Sequence, residues 1–343
     1  MKSYTIKDIA RMAEVSPGTV DRVIHQRGKV SEQALKKVHA VLEQIQYEPN
    51  ILAKSLKNQQ VYDIGILLPE IGDDNYWRQV HEGVQQFEEA HKGYNLRTRL
   101  VTFSNLEPAS FAQAADELLA TTLDAVFMAP LFLSESLSLA ERLQQLSVPL
   151  ITINNEVRNL SPLSFIGQDL HASGRTAAYL LHQSMRNIKE VIILHLAEDP
   201  YHTSPMTAKS KGLKEYFEGR EVRIHEITIH NVQDDTLEET LSHLTDLSQK
   251  PGIFITNSKA HQVAFDLRLL LPKSVIVGYD LIPRNIDLLH SRTINYLINQ
   301  NPTRMAFEGL SKFADHFIFG KEIPDKVYLP IDVITPENIA SYL

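Results

Sequence analysis

Two sets of side chains in this sequence have the types and spacing to do chemistry. In the first, residues 17–24 place Val20, Val23 and Ile24 on one face of a predicted helix, leaving Pro17, Gly18, Asp21, Arg22 and His25 on the other. An exposed arginine on a short helix can donate two parallel hydrogen bonds to guanine, and such a helix fits the major groove of DNA. Proline offers apolar contact only, for instance to a thymine methyl, and glycine offers no side chain. Asp21 can accept from a cytosine amino group or pair with His25 one turn later. The second set is Asn75, Tyr76, Trp77, Asn154, Asn155, Asp169, Asn257, Asp280 and Gln300. Their amides and carboxylates offer the paired donors and acceptors that a hydroxyl-rich ligand needs, and aromatic faces stack on sugar C–H surfaces.

Three short helices must position the first set. Thr5-Ile6-Lys7-Asp8 reads as a capping box, followed by Ile6, Ile9, Ala10 and Ala13 at helical spacing. Glu14-Val15 forms the turn. Ser16 is an N-cap, with Pro17 at the first helical position, where its missing N–H costs nothing. Gly28 closes the second helix, and Ser31 caps a third whose expected buried face is Leu35, Val38, Val41, Leu42 and Ile45. This is the helix-turn-helix plan. Residues 1–60 carry ten Lys/Arg and six Asp/Glu, a balance of +4, whereas the remainder carries 24 and 36, a balance of −12. A basic head on an acidic body points to a polyanion at the head alone.

The second set belongs to a different pattern. From Val61 onward, apolar runs at Val61–Leu68, Leu96–Phe103, Ala125–Met128, Pro149–Ile153, Val191–Leu196, Val222–Ile229, Gly252–Thr256 and Val275–Gly278 alternate with amphipathic helical stretches. Alternation of this kind implies right-handed βαβ units and parallel sheets. There are too many strands for one comfortable sheet, so an α/β body of two doubly wound, Rossmann-like lobes is expected. Ligands of open α/β sheets bind beyond the carboxyl ends of the strands, where Asn75, Tyr76, Trp77, Asn154, Asn155, Asn257 and Asp280 fall; Asp169 and Gln300 join them by the resemblance of the body given below.

Composition narrows the function. At about 150 residues per domain, 343 residues predict two or three domains. A chain 43% hydrophobic and 22% charged has ordinary globular composition. The absence of cysteine excludes disulfides, thiolate metal sites and cysteine nucleophiles. No apolar run approaches a membrane span, and the first residues lack the apolar stretch of a secretory signal, so a cytoplasmic protein without membrane contact is expected. An enzyme is not expected. No Gly-x-Gly-x-x-Gly follows the first strand, and neither a P-loop nor a Gly-x-Ser-x-Gly elbow occurs. His225-Glu226 fails the His-Glu-x-x-His spacing because position 229 is Ile, so no metal and no cofactor are expected.

Across residues 5–57 the sequence resembles the DNA-binding head of the lactose-repressor (LacI) family. The matching pieces are Ile6–Ala10 with Ala13, Val15-Ser16, Thr19-Val20, Arg22-Val23, Val30-Ser31, Tyr47-x-Pro49-Asn50 and Ala53-x-x-Leu56. The resemblance implies a DNA-binding domain over 1–49 and a hinge helix and linker over 50–60. In the hinge, Asn50 caps a helix reaching Lys57, Ala53 allows close contact, and Leu56 is the apolar wedge that opens a minor-groove base step. A helix that short is marginal alone in water, so its formation is expected to be coupled to DNA binding. The resemblance also puts Thr5, Ser16, Thr19, Lys29 and Ser31 at phosphate-holding positions, although capping competes with that role at each. Pro17, Gly18 and Asp21 depart from the larger or neutral polar residues common in the family.

The body, 61–343, resembles the type I periplasmic sugar-binding-protein fold. Tyr76-Trp77-Arg78-Gln79-Val80-His81-Glu82-Gly83 is similar to its aromatic-pair motif, Val277-Gly278-Tyr279-Asp280 to its Gly-x-Asp loop, and Phe254-Ile255-Thr256-Asn257 to its strand-ending asparagine. Lys209, three residues before Gly212, stands where relatives often place arginine, and Asn154-Asn155 where many sugar binders have Asp-Arg. By this resemblance the chain crosses between lobes three times, with lobe one over about 61–161 and 293–321 and lobe two over about 162–292 and 322–343. The function implied is a transcription regulator, a repressor, acting as a homodimer on a pseudo-palindromic operator. Its affinity would be switched by a small polar effector, a sugar or sugar derivative, in the cleft. A nucleobase or sugar-acid effector, or an effector-dependent activator, is the alternative.

Overall fold

The computed structural model describes residues 4–24, 30–45, 61–72, 75–157, 159–185, 187–196, 205–230, 237–242 and 250–343. The chain divides into two compact units, one chiefly of residues before Val61 and the other chiefly of residues from Val61 onward. The hinge at 50–60 lies outside the described residues.

In the first unit, α1 (Ile6–Met12), α2 (Pro17–Ile24) and α3 (Glu32–Gln44) enclose a small core of Ile9, Ala10, Ala13, Val20, Val23, Val38 and Val41. Glu14 turns the chain between α1 and α2 with φ of 53°, a left-handed conformation uncommon outside glycine, and its carboxylate pairs with Lys37 of α3 at 3.0 Å. Leu35 corrects the expected face of α3. It is 40% exposed, because the helix packs through Val38 and Val41 and turns its first turn outward.

The second unit holds two six-stranded sheets. One contains β1 (Tyr62–Pro69), β2 (Leu96–Phe103), β3 (Ala125–Met128), β4 (Leu150–Ile153), β5 (Ser164–Gln168) and β11 (Lys326–Leu329), in the order β11-β5-β4-β3-β1-β2 and parallel throughout. The other contains β6 (Glu190–Leu196), β7 (Arg223–Ile229), β8 (Gly252–Ile255), β9 (Val275–Tyr279), β10 (Tyr296–Asn299) and β12 (Asp332–Ile334), in the order β12-β10-β9-β8-β6-β7. Only β12 runs antiparallel, against β10. The central strands β3, β4 and β8 are buried at every residue, as strands covered by helices on both faces must be.

Helices α4 (Asn75–Ala90), α5 (Pro108–Leu119), α6 (Leu133–Gln145) and α12 (Pro302–Phe319) clothe the first sheet. Helices α7 (Leu170–Ser184), α8 (Pro205–Phe217), α9 (Leu237–Ser242), α10 (Ala264–Leu270) and α11 (Pro283–His290) accompany the second. No helix among the described residues is long and apolar enough to cross a membrane.

Sheet membership moves all three expected lobe boundaries. Ser164–Gln168 pairs with β4, so the first crossover falls at Asp169 and not before residue 162. Tyr296–Asn299 pairs with β9, which puts the second at Gln300–Asn301 and not near 293. Lys326–Leu329 pairs with β5, which puts the third at Pro330–Ile331 and not near 322. In each case a short strand finishes its ladder before the chain leaves the lobe.

Candidate functional site

The helices of the head are set by caps from side chains to backbone. Thr5 and Asp8 form the reciprocal box: Asp8 N donates to Thr5 Oγ1 at 3.3 Å and Thr5 N to Asp8 Oδ2 at 3.0 Å. Hydrogen bonds from the Thr5 side chain and backbone hold the Asp8 carboxyl below its ordinary range. Ser16 Oγ accepts from Thr19 N at 3.1 Å and lies 2.9 Å from Thr19 Oγ1. Ser31 Oγ accepts from Ala34 N at 3.4 Å. With Val20 and Val23 turned into the core, α2 leaves Pro17, Gly18 and Arg22 exposed and Thr19 and Asp21 half-exposed. His25, Lys29, Asn50, Ala53, Leu56 and Lys57 lie outside the described residues.

In the body, eight of the ten expected cleft residues meet. Tyr76, Trp77, Asn154, Asn155, Lys209, Asn257, Asp280 and Gln300 line one cavity of about 130 Å³ between the strand ends of the two lobes. Lobe one contributes the aromatic pair. Tyr76 and Trp77 meet edge to face with ring centroids 5.1 Å apart, and the Tyr76 hydroxyl donates to Asn154 Oδ1 at 2.9 Å. Asn154 and Asp280, each just past a strand, adopt left-handed backbones with φ of 70° and 63°. Such conformations outside glycine cluster at ligand-handling sites. Across the cleft, Gln79 Nε2 donates to the Leu281 carbonyl at 2.9 Å.

Lobe two supplies the charges. Asp280, 1% exposed, accepts from Gln300 twice, at Oδ1 from the backbone N (3.1 Å) and at Oδ2 from Nε2 (2.9 Å). Lys209, 3% exposed, donates to the Thr256 carbonyl at 2.9 Å and lies 3.6 Å from the Tyr279 ring centroid, a cation–π contact. Its position follows from close helix packing. Gly174 of α7 abuts the Lys209 carbonyl and Gly212 of α8 abuts the His171 carbonyl, so closely that a methyl group at either would overlap backbone. Burial pushes the Tyr279 phenol up, so its hydroxyl stays protonated, 2.6 Å from Ser173 Oγ.

Two expected residues fall elsewhere. Asn75 accepts from Arg78 Nε at 3.2 Å and does not line the cavity. Asp169 caps α7, its Oδ1 accepting from Ala172 N at 2.9 Å, and lines a separate hollow of about 500 Å³ beside the first. Both follow a strand end as the pattern required, but each opens a helix, and the nearest backbone N–H or side chain took it first.

Other residues escaped the sequence reading. Asn105, Thr256, Ser258 and Lys259 also line the cavity. Asn285 of α11 is fully buried; its Nδ2 donates to the Ser258 and Tyr279 carbonyls at 2.8 Å each, and its Oδ1 accepts from His261 N at 2.9 Å. It ties the loops carrying Asn257 and Asp280 together, a role that nothing in its local sequence signals. Behind Thr256, His195 Nδ1 lies 2.8 Å from Thr256 Oγ1 and its Nε2 3.0 Å from Glu226 Oε1. Burial raises the Glu226 carboxyl, but hydrogen bonds from Lys214, His195 and Ser210 outweigh it and hold the group at about 2.

Known proteins divide the chain in the same way. Residues 5–50 match the family described as bacterial regulatory proteins, lacI family, and residues 64–322 match the periplasmic binding protein domain. The chain is 25% identical over 295 residues to the ribose operon repressor of Halalkalibacterium halodurans, covering 84% of each chain. It is 25% identical over 345 residues to the sucrose operon repressor of Streptococcus mutans, covering 97% of this chain and 99% of that one. A solved structure ascribed to a LacI transcriptional regulator of Bacteroides fragilis superposes with a TM-score of 0.75 at 26% identity, over 83% of this chain and all of that one. Fold and head thus define a DNA-binding regulator with a ligand-binding body. The chain belongs to the LacI family of bacterial transcription regulators, with an effector domain of the periplasmic-binding-protein type.

Proposed function

We propose that this regulator is a cytoplasmic repressor that reads a pseudo-palindromic operator as a symmetric homodimer and is switched by a sugar or sugar derivative in the inter-lobe cleft. The observation that carries the reading is the cavity itself: among its described lining residues, five neutral amides, one carboxylate and two ammonium groups accompany an edge-to-face aromatic pair. That donor set suits a ligand of hydroxyls and C–H faces. Relatives named for ribose and sucrose operons support the same class.

In the head, Arg22 is assigned the base contact, with Pro17, Gly18, Asp21 and His25 beside it. Thr5, Ser16, Thr19, Lys29 and Ser31 are assigned to phosphates, and Asn50, Ala53, Leu56 and Lys57 to the hinge and its minor-groove wedge. One head reads only a few base pairs, so a two-fold dimer supplies the remaining half-site.

A second reading has one specific support. Lys209 and Lys259 both line the cavity, whereas Asp280 is the one carboxylate among its described lining residues. That excess of positive charge favours an effector with one anionic group, such as a sugar acid.

A thermal-shift panel of D-ribose, sucrose, D-gluconate and adenine tests both. A true effector stabilises by RT ln(1 + [L]/Kd), about 2.7 kcal/mol at a hundredfold excess over Kd, and must also change operator affinity. A response to adenine alone would overturn the sugar assignment, and a response to gluconate alone would establish the second reading.

A further inference from the structure

The three crossovers between the lobes meet at one side chain. Gln168 ends β5 at the first crossover and is 3% exposed. Its Nε2 donates to the Asn299 carbonyl at the second crossover (3.2 Å) and to the Pro330 carbonyl at the third (3.0 Å). A single amide nitrogen, with two protons, thus uses both of them to span all three segments.

Two further features say what this bond pair is for. Gln168 Oε1 has no hydrogen-bond partner among the described residues, so the bonds that tie this amide to the protein are those of its two donors. Its orientation is not interchangeable, because a flipped amide would set oxygen against two carbonyl oxygens. The second crossover is also the one bolted to the cleft. Gln300, next to Asn299, holds both oxygens of Asp280, and Asn301 Nδ2 donates to Asp332 Oδ2 of β12 at 2.7 Å. A continuous path therefore runs from the cavity wall, through Gln300 and Asn299, to Gln168 and the third crossover.

We propose that Gln168 is the positioning residue of the inter-lobe hinge: its amide couples the three crossovers so that they turn together when the lobes open or close on a ligand. The proposal rests on the reading of the cleft as an effector site. Opening without the clamp would let each segment bend alone, and the lobes would sample a wider range of angles. Isosteric loss of both donors, Gln168→Met, is the direct probe.

The absence of cysteine makes the test clean. Leu146→Cys in lobe one and Leu269→Cys in lobe two, both well exposed, take spin labels for an inter-lobe distance measurement on the full chain, diluted with unlabelled protein. The Gln168→Met variant is expected to broaden that distance distribution at least twofold; a distribution superposing on the parent's would overturn the proposal. Hydrogen exchange on the unaltered protein reads the same coupling if the variant does not fold. Peptides spanning residues 168, 299–301 and 330 should open at one common denaturant concentration, and separate openings would overturn it. Neither measurement uses DNA or effector, so its failure leaves the regulator reading standing.

Discussion

The exposed face of α2 and the wall of the cleft solve opposite problems. On α2, Arg22 is exposed, and the contacts that set its helix come from residues three apart: Ser16 to Thr19 here, Thr5 to Asp8 and Ser31 to Ala34 in the flanking helices. In the cleft, Asp280 and Lys209 are almost fully buried, and their partners are 20 and 47 residues away. A solvated guanidinium carries no desolvation cost and needs no partner. A buried carboxylate must be satisfied before any ligand arrives, and Gln300 does this with two hydrogen bonds. Local geometry therefore builds an exposed face, and long-range geometry builds a cavity wall whose charged groups are already hydrogen-bonded.

The sharpest way to break this contrast is Asp280→Ala. It should weaken effector binding a hundredfold or more, about 2.7 kcal/mol, while operator affinity without effector is unchanged. Titration calorimetry beside operator binding checks it, and normal effector binding would remove Asp280 from the ligand's reach. Next in size is Arg22→Ala, expected to cost about 1–3 kcal/mol at the specific operator and far less on random DNA. Equal losses on both would make Arg22 a phosphate contact.

Ser16→Ala removes the cap of α2 and should lower the stability of the head by about 1 kcal/mol. Effector affinity should not move, and calorimetric unfolding with and without effector would detect any coupling. The smallest effect concerns Glu226. Its folded pKa is depressed from 4.5 to about 2, so its contribution is complete above pH 4.5 and fades as pH falls toward 2. Urea unfolding of Glu226→Gln should show a flatter stability profile in that window; an unchanged slope would mean the network behind Thr256 is too solvent-screened to matter.

Much of the head was legible because caps are written in residues three apart. The box at Thr5 and Asp8 and the caps at Ser16 and Ser31 stand where the spacing put them. Leu35 was misjudged because a 3.6-residue period cannot say which end of an amphipathic stripe the partner helix covers. In the body, long apolar runs announced β1, β2 and β6. The strands β5, β10, β11 and β12 carry no such signature: Ser164 and Gln168, Asn299, Lys326 and Asp332 interrupt their apolar runs, whereas β3 and β8, equally short, are apolar throughout or nearly so. Cleft residues were legible as a class, since they follow strands, but Asp169 and Asn75 show that a strand end is also a helix start with its own claim on a polar side chain.

By itself, the sequence of this chain determined its capped head, the alternation of strands and helices, and the resemblance that joins a DNA reader to a ligand-binding body. Those features depend on neighbours within a turn or a strand, or on motifs at fixed spacing. Only the tertiary structure decided which sheet each short strand joins, where the lobes exchange chain, and which amides share a cavity. The donors of Gln168 find their acceptors 131 and 162 residues away, and Asn285 holds two loops whose order in sequence says nothing of their meeting. Hydrogen bonds at that separation exist only after the parallel sheets have closed their ladders and brought the three crossovers side by side.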